Sequence, residues 1–178
     1  FHYSEEFVDE FLSDSIELGR SFIQKKYWNS NALHYLWLGI GAFIAHNPTI
    51  KYMFGPVSVS NSYPKAAKEA IIYYFKKWFG DRESLAVSKN QFQFSPSVID
   101  EMRNHFNLPE AKQEFRILKT LLKVHNMTVP VLYKHYSELC EDNGVKFLDF
   151  GVDPDFENCI DGLILVDINK ITPEKRKR

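Results

Sequence analysis

The sequence predicts an α/β domain, and two observations carry that prediction. A strand over Ile16–Ile23, a helix that runs to about His46 and a strand over Ile50–Ser60 follow one another, which is the order of a crossover unit. Late in the chain, a turn-rich segment joins two further strand-like runs, Val145–Val152 and Gly162–Ile168. Because both crossover strands carry polar groups where a plain core strand would not, we expect a site between them.

The helix of the crossover unit is the most apolar stretch of the chain. Asn29, Ser30 or Asn31 can cap its start. We predict that this helix is wedged into a core, because its apolar residues repeat at helical spacing: Ala32, Leu33, Leu36, Trp37, Ile40, Phe43 and Ile44.

The remaining helices follow from capping signals and periodicity. Pro64 is placed at the first turn of a helix that Gly80 ends, with one apolar side made of Ala67, Ala70, Ile71, Tyr74, Phe75 and Trp78. Residues 81–93 are polar and predicted to be irregular. Further helices are predicted over residues 4–12, 95–106, 110–125 and 130–141.

Composition limits the class of protein. The 178 residues, 44% apolar with a net charge of −1, describe one globular domain over 1–178. No apolar run is long enough to span a bilayer, and no segment reads as a secretory signal, so the expected location is cytoplasmic. The charge balance and the absence of binding motifs predict no nucleic-acid partner. Cys140 and Cys159 are predicted to be buried thiols that form no metal site.

The ends of the chain carry two expectations. The chain begins at Phe1, only a short distance before a strand that looks central, so we expect it to be the C-terminal part of a longer protein. We predict that residues 170–178 form a disordered tail, which includes the basic run 175–178.

Several separated motifs carry a resemblance to a known family. They are Glu17-Leu18-Gly19-Arg20-Ser21, Tyr27, Leu36-Trp37-Leu38-Gly39, Phe54-Gly55 with Ser58-Val59-Ser60, Pro130-Val131-Leu132-Tyr133-Lys134 with Tyr136, and Asp153-Pro154-Asp155-Phe156 with Asp161. In order and spacing the chain resembles the ornithine-lipid N-acyltransferases, often labelled hemolysin-like. Through them it is similar to the GNAT acyltransferases and the acyl-homoserine-lactone synthases.

The resemblance implies both a fold and a reaction. The fold is a GNAT-like mixed sheet flanked by helices, with the family's first strands missing from this chain. The reaction is transfer of a fatty acyl or 3-hydroxyfatty acyl group from acyl carrier protein or coenzyme A to the α-amine of an amino acid such as ornithine or glycine, in aminolipid synthesis. An upstream fused O-acyltransferase domain is a further hypothesis, and a peripheral position at the inner face of the membrane is an expected localisation.

Glu17 and Arg20 are the first candidate catalytic residues. A carboxylate on a buried strand can have its pKa raised toward neutrality, which suits Glu17 as the general base for the amine. Arg20 can hold Glu17, a substrate carboxylate or a donor phosphate. Since residues three apart face opposite sides of a strand, their cooperation requires a bulge, which we place at Gly19. Spacing alone favours a structural ion pair, whereas the resemblance favours catalysis.

Ser58 and Ser60 complete the predicted catalytic set, on the face of the second strand opposite Val57 and Val59. A hydroxyl here could protonate the leaving thiolate or bond the acyl carbonyl. The plainer interpretation is that the serines of a partly wet strand satisfy one another, and for a single serine the spacing favours it.

Residues that flank the crossover helix are predicted to bind the acyl donor. The segment Gln24–Asn31 lacks the glycine-rich pyrophosphate loop of coenzyme-A-dependent GNAT enzymes, which favours the phosphopantetheine arm of acyl carrier protein. The residues predicted to bind it are Ser21, Phe22, Ile23, Asn29, Ser30, Asn31 and Val57.

A positive stripe predicts a docking surface. Lys112, Arg116, Lys119 and Lys123 fall on one helical face, where they could meet an acidic carrier protein or anionic lipid headgroups. An ordinary solvated face is the alternative, and charge runs on helices favour it.

Two other functions stay open at this point. The chain could be a non-catalytic module that binds acyl carrier protein or a membrane. It could also be a phospholipid-remodelling acyltransferase partner under the hemolysin label. A cytolysin is disfavoured, because no amphipathic membrane-inserting stretch stands out. Asp153, Asp155 and Glu157 mimic the start of a calcium loop, but Pro154 interrupts it, so a hairpin turn is the better explanation.

Overall fold

The computed structural model of the chain describes residues 1–176. Its strands are β1 (His2–Tyr3), β2 (Ser15–Glu17), β3 (Tyr52–Val59), β4 (Ala86–Val87), β5 (Val145–Asp153) and β6 (Cys159–Asp167). Its helices are α1 (Ala32–His46), α2 (Lys65–Phe79), α3 (Val98–His105), α4 (Ala111–Val124), α5 (Val131–Ser137) and α6 (Pro173–Arg176).

The centre of the fold is a four-stranded mixed sheet in the order β2-β3-β6-β5. β2 and β3 are parallel, and α1 is the crossover between them. β6 pairs antiparallel with both β3 and β5. The predicted class is therefore confirmed: the protein is an α/β domain with a mixed sheet flanked by helices, consistent with a GNAT-like fold.

The predicted hairpin near the end of the chain is also confirmed. β5 and β6 pair from Val145↔Val166 to Asp153↔Cys159, with a register shift between Phe147 and Asp149. At the turn, Asp153 Oδ1 accepts a hydrogen bond from the Asp155 backbone N at 2.9 Å. This carboxylate closes the hairpin turn, as the sequence predicted.

One face of the sheet packs against α2, α4 and α5. The predicted apolar side of α2 is buried except for Trp78, which is partly buried, and the helix ends at Phe79, one residue before Gly80. Within this layer, the fully buried Glu114 carboxylate accepts from Lys77 Nζ and from Trp78 Nε1, each at 2.6 Å. These partners satisfy a charge that would otherwise be costly to bury.

The opposite face is covered by the N-terminal segment. Phe7 begins a π-helical turn over Phe7–Phe11 and packs edge-on against Phe54 of β3 with ring centroids 5.3 Å apart. β1 pairs antiparallel with β4, so the segment predicted to be irregular over 81–93 contains a short strand. The pairing joins residues more than 80 apart and follows from no local signal.

The first strand of the crossover is much shorter than the sequence predicts. Pairing ends at Glu17, and Leu18 adds one hydrogen bond from its N to Phe54 O at 2.7 Å. Arg20 then adopts φ 54°, a left-handed conformation that a strand cannot continue through. The prediction of strand structure to Ile23 is therefore wrong, and the chain turns away instead of forming a bulge at Gly19.

The prediction that α1 is wedged into a core is also wrong. None of its residues is buried. Trp37, Ile40 and Ile44 pack against the edge of the core. On its side toward β2, α1 leaves an open apolar groove of about 330 Å³, lined by Ile16, Tyr35, Leu36, Gly39, Ile40 and Phe43.

The end of the described chain packs beside the segment that follows α5, where Thr172 N donates to Leu139 O at 3.1 Å. The segment predicted to be a disordered tail contains α6, and the Arg176 Nε donates to Ile171 O at 3.0 Å. Lys177 and Arg178, the rest of that prediction, lie outside the described residues. Over residues 1–176, no helix combines the length and apolarity needed to cross a membrane.

Candidate functional site

Glu17 stands at the point where β2 leaves the sheet. It is the last paired residue of β2, opposite Phe54 of β3. Its side chain is exposed, so the premise of a carboxylate on a buried strand is wrong for this structure. The carboxylate lies near Tyr3, whose pKa is raised by burial and, secondarily, by the charge of Glu17.

Arg20 does not approach Glu17. Among the ion pairs of residues 1–176, none joins these two side chains, which excludes the structural ion pair that their spacing favours. Arg20 is exposed, and its left-handed backbone places it at the start of the irregular segment after β2. Both charges therefore face solvent and can meet a substrate.

Gly55 allows β2 to approach β3 before the strands part. Its φ is +155°, and a Cβ at this position would lie 2.3 Å from the Leu18 carbonyl oxygen. Only a residue without a side chain permits this contact. Beyond it, β3 continues to Val59 and stays paired with β6 on one side, while β2 has ended on the other.

Ser58 is hydrogen-bonded to an aspartate, Asp161, which belongs to one of the motifs named above but has no predicted role. Ser58 Oγ donates to Asp161 Oδ1 at 2.5 Å, across the β3–β6 pair. Asp161 is 9% exposed, and burial raises its pKa, with Ser58 opposing and Asp153 adding to the shift. The signal in the sequence was an acidic residue inside an otherwise apolar strand.

The predicted alternation of β3 is confirmed. Val57 and Val59 are buried and Ser58 is exposed, with Ser60 exposed just after the strand. Ser60 Oγ is 3.0 Å from Ser62 Oγ, so the plainer interpretation of satisfied serines describes this residue. Behind the strand, the buried Tyr133 hydroxyl donates to Val57 O at 3.1 Å.

The four predicted catalytic residues do not form one contact cluster. Glu17 is in register with Phe54, and Ser58 follows four residues later on the same face of the sheet. At the rise of a strand this separation is about 13 Å. A substrate that uses both must span the exposed Pro56 between them.

The predicted donor residues fall in three places. Ser21 and Phe22 are exposed and Ile23 is half-buried in the irregular segment after β2, and the exposed fraction of Phe22 is 78%. Asn31 is the N-cap of α1, and Ser30 Oγ accepts from Ala32 N at 3.2 Å. Asn29 has φ 59°. Val57 lies apart, buried on β3.

The predicted stripe on α4 has the expected geometry. Lys112, Arg116, Lys119 and Lys123 are all exposed, on the side away from the buried Leu118 and Leu122. Its role as a docking surface stays a prediction.

Asp161 gives a prediction about the pH dependence of stability. Because burial raises its pKa above the ordinary 3.8, the folded protein holds this proton at a pH where the unfolded chain has lost it. The unfolding free energy of wild type minus that of Asp161→Asn should therefore fall as the pH rises through the raised pKa, because wild type loses stability that the variant keeps. Urea unfolding of both proteins from below pH 3.8 to pH 7 checks this, and a difference that rises with pH would contradict it.

Comparison with known proteins gives two relatives. The chain is 31% identical over 185 residues to a glycine N(alpha)-acyltransferase of Bacteroides thetaiotaomicron, covering all of this chain and 54% of the relative. It is 28% identical over 185 residues to a protein of the same name from Phocaeicola vulgatus, again along the whole chain and over 56% of the relative. The chain thus spans about half the length of the curated relatives it matches.

No protein-family profile matches the chain. No solved structure matches it either. The similarity runs through all of the elements described above, including β2, α1 and β3 around the candidate site. Each relative is about 30% identical to the chain and bears the name of an N-acyltransferase.

Proposed function

We propose that this chain is the part of an amino-acid N-acyltransferase that carries the acyl-transfer site. The observation that carries the proposal is similarity along the whole chain to two proteins named glycine N(alpha)-acyltransferase. The acceptor is the α-amine of glycine or of another amino acid such as ornithine. The donor is a fatty acyl thioester, with a 3-hydroxyacyl group as the candidate, and the product is an N-acyl amino acid of an aminolipid pathway.

Glu17 is the proposed general base. The acceptor ammonium must lose a proton before its nitrogen can attack the thioester carbonyl. An exposed carboxylate at the divergence of β2 and β3, without the Arg20 ion pair, is available to take that proton directly or through a water. Arg20 is proposed to hold the acceptor carboxylate or a donor phosphate, because guanidinium bonds both with two parallel hydrogen bonds.

Ser58 and Ser60 are proposed to act at the other end of the reaction. Attack of the nitrogen gives a tetrahedral intermediate, which collapses to the amide as the carbon–sulfur bond breaks and the thiolate leaves. Ser58 can give its proton to that thiolate if a protonated Asp161, its partner at 2.5 Å, returns a proton to the serine oxygen in the same step. Ser60 is a candidate donor to the acyl carbonyl.

The proposed donor carries phosphopantetheine, on acyl carrier protein in preference to coenzyme A. The segment Gln24–Asn31 has no glycine, and its exposed amides lead into the start of α1. A phosphate can bind at such a helix start. Ser21, Phe22, Ile23, Asn29, Ser30, Asn31 and Val57 stay the proposed contacts.

The product identifies the reaction. Full-length protein is incubated with 3-hydroxyacyl carrier protein and a panel of amino acids, and products are analysed by mass spectrometry. An N-acyl amino acid, formed fastest with one acceptor, would support the proposal and name that acceptor. Binding of the carrier by well-folded protein without turnover on any acceptor would favour a non-catalytic module instead.

The α4 stripe gives a prediction about the donor. If it docks an acidic carrier, Lys119→Glu with Lys123→Glu should raise KM for acyl carrier protein about tenfold, since it reverses two charges. KM for acyl-CoA should not change. Arg82→Glu with Lys89→Glu, which reverses two charges at other exposed residues, is the matched control. Equal effects on both donors, or an equal effect of the control, would contradict docking at this stripe.

A further inference from the structure

The loop before α1 and the exposed side chains of α1, two of which also line the groove toward β2, form an exposed aromatic surface. We call it the α1 face and define it by Tyr27, Trp28, Tyr35, Leu38 and Phe43. The exposed fractions are 66% for Tyr35, 62% for Trp28 and 51% for Phe43. Apolar patches of this kind mark interaction sites.

The charge around the α1 face has one sign. Residues 18–50 contain no Asp or Glu and carry three basic residues, Arg20, Lys25 and Lys26. Since the whole chain has 22 basic and 23 acidic residues, 19 basic and 23 acidic residues remain elsewhere, a net charge of −4. The segment with net positive charge is therefore the same segment that carries the exposed aromatic side chains of the α1 face.

The backbone of this loop is held by local hydrogen bonds while its rings point outward. Tyr27 N donates to Gln24 O at 2.8 Å and Trp28 N to Lys25 O at 3.1 Å. The Trp28 indole Nε1 donates to Ile23 O at 2.9 Å. Because that polar group is satisfied inside the protein, the ring can enter an apolar medium without an unpaired donor.

We propose that the α1 face docks on an anionic lipid bilayer at the level of the headgroups. Trp and Tyr favour the membrane interface, where their rings lie at the level of the headgroups. Lys25 and Lys26 add attraction to anionic lipids. The proposal concerns where the protein binds and does not depend on the reaction proposed above.

Two other occupants fit the surface less well. An acidic carrier protein would bind mainly through ion pairs. The α4 stripe suits such a partner better, because it carries four cations and its nearest strongly exposed apolar side chain is Val124. A second copy of the chain in a two-fold dimer would bring Lys25 and Lys26 close to their own counterparts, which repels.

Vesicle binding of the full-length protein tests the proposal. Sedimentation with phosphatidylglycerol–phosphatidylcholine vesicles should capture wild type, with at least tenfold weaker partition into phosphatidylcholine alone. Trp28→Ser with Phe43→Ser should lower partition into the anionic vesicles about tenfold or more, and so should Lys25→Glu with Lys26→Glu. The matched control, Arg82→Glu with Lys89→Glu, makes the same charge change at two exposed residues outside the α1 face and should leave partition within twofold.

Several outcomes would overturn the proposal. The first is equal loss in the control, and the second is absence of wild-type binding to anionic vesicles. In the third, Lys25→Glu with Lys26→Glu binds vesicles as wild type does but binds acyl carrier protein more weakly, which would assign the surface to the carrier protein. Slow thiol labelling of Tyr35→Cys in the full-length protein without vesicles would show that another part of the protein covers the α1 face. Fast labelling that vesicles suppress supports docking.

Discussion

Glu17→Gln in the full-length protein is expected to lower kcat/KM for amine acylation by about 100-fold or more. The amide has nearly the shape of the carboxylate but cannot accept the proton of the ammonium, and general-base catalysis contributes factors of about 100 to 10,000. Because Glu17 is exposed and has no ion pair within residues 1–176, its replacement should leave the unfolding free energy within about 0.5 kcal/mol of wild type. Steady-state kinetics and urea unfolding of the same preparation measure both quantities.

Glu10→Gln is the matched control for this experiment. Glu10 lies in the π-helical turn close to β2 and is also exposed, so it makes the same chemical change near the site. It should retain wild-type kcat/KM. Retained turnover in Glu17→Gln would remove Glu17 as the base and would direct attention to the Ser58–Asp161 pair. A pH–rate profile of wild type that loses its acidic limb in Glu17→Gln would strengthen the assignment.

Gly55→Ala is expected to have the largest effect on folding. A Cβ at Gly55 would lie 2.3 Å from the Leu18 carbonyl oxygen, a backbone atom that cannot rotate away, and φ +155° is strained for any residue with a side chain. We expect a loss of about 3 kcal/mol or more in unfolding free energy, or release of β2 from β3. Urea unfolding and amide exchange at Leu18 distinguish these two results.

Gly41→Ala provides the comparison for that substitution. Gly41 lies within α1, and a Cβ there meets no atom within 4 Å. Alanine should therefore stabilise the protein by about 0.5–1 kcal/mol through helix propensity. Similar behaviour of the two variants would show that the approach of Leu18 to Gly55 does not hold β2 on the sheet.

The sequence was sufficient for the elements that local signals mark. α2, with Pro64 before it and Gly80 after it, and the β5–β6 hairpin lie close to their predicted bounds. α1 has equally regular spacing, but periodicity reports that a face is apolar and does not report what covers it. The interpretation of α1 as a core helix failed for that reason.

The site could be predicted only in part, because its geometry depends on long-range contacts. Glu17 and Ser58 lie on β2 and β3 as their motifs predict, whereas Arg20 lies beyond the end of β2, and their roles stay predictions. The Ser58–Asp161 bond joins residues 103 apart in the chain, which no local pattern encodes. The left-handed turn at Arg20 also escaped prediction, because left-handed φ is uncommon for a residue that is neither Gly, Asn nor Asp.

The brevity of β2 has a consequence for the dynamics of the site. Only three residue pairs register β2 with β3, whereas β5 and β6 pair along nine-residue strands. Local opening of β2 therefore costs less free energy than unfolding of the β5–β6 hairpin. A ligand that bridges Glu17 and β3 binds only the closed form, so part of its binding free energy is spent in closing β2, and its occupancy slows amide exchange there before anywhere else in the sheet.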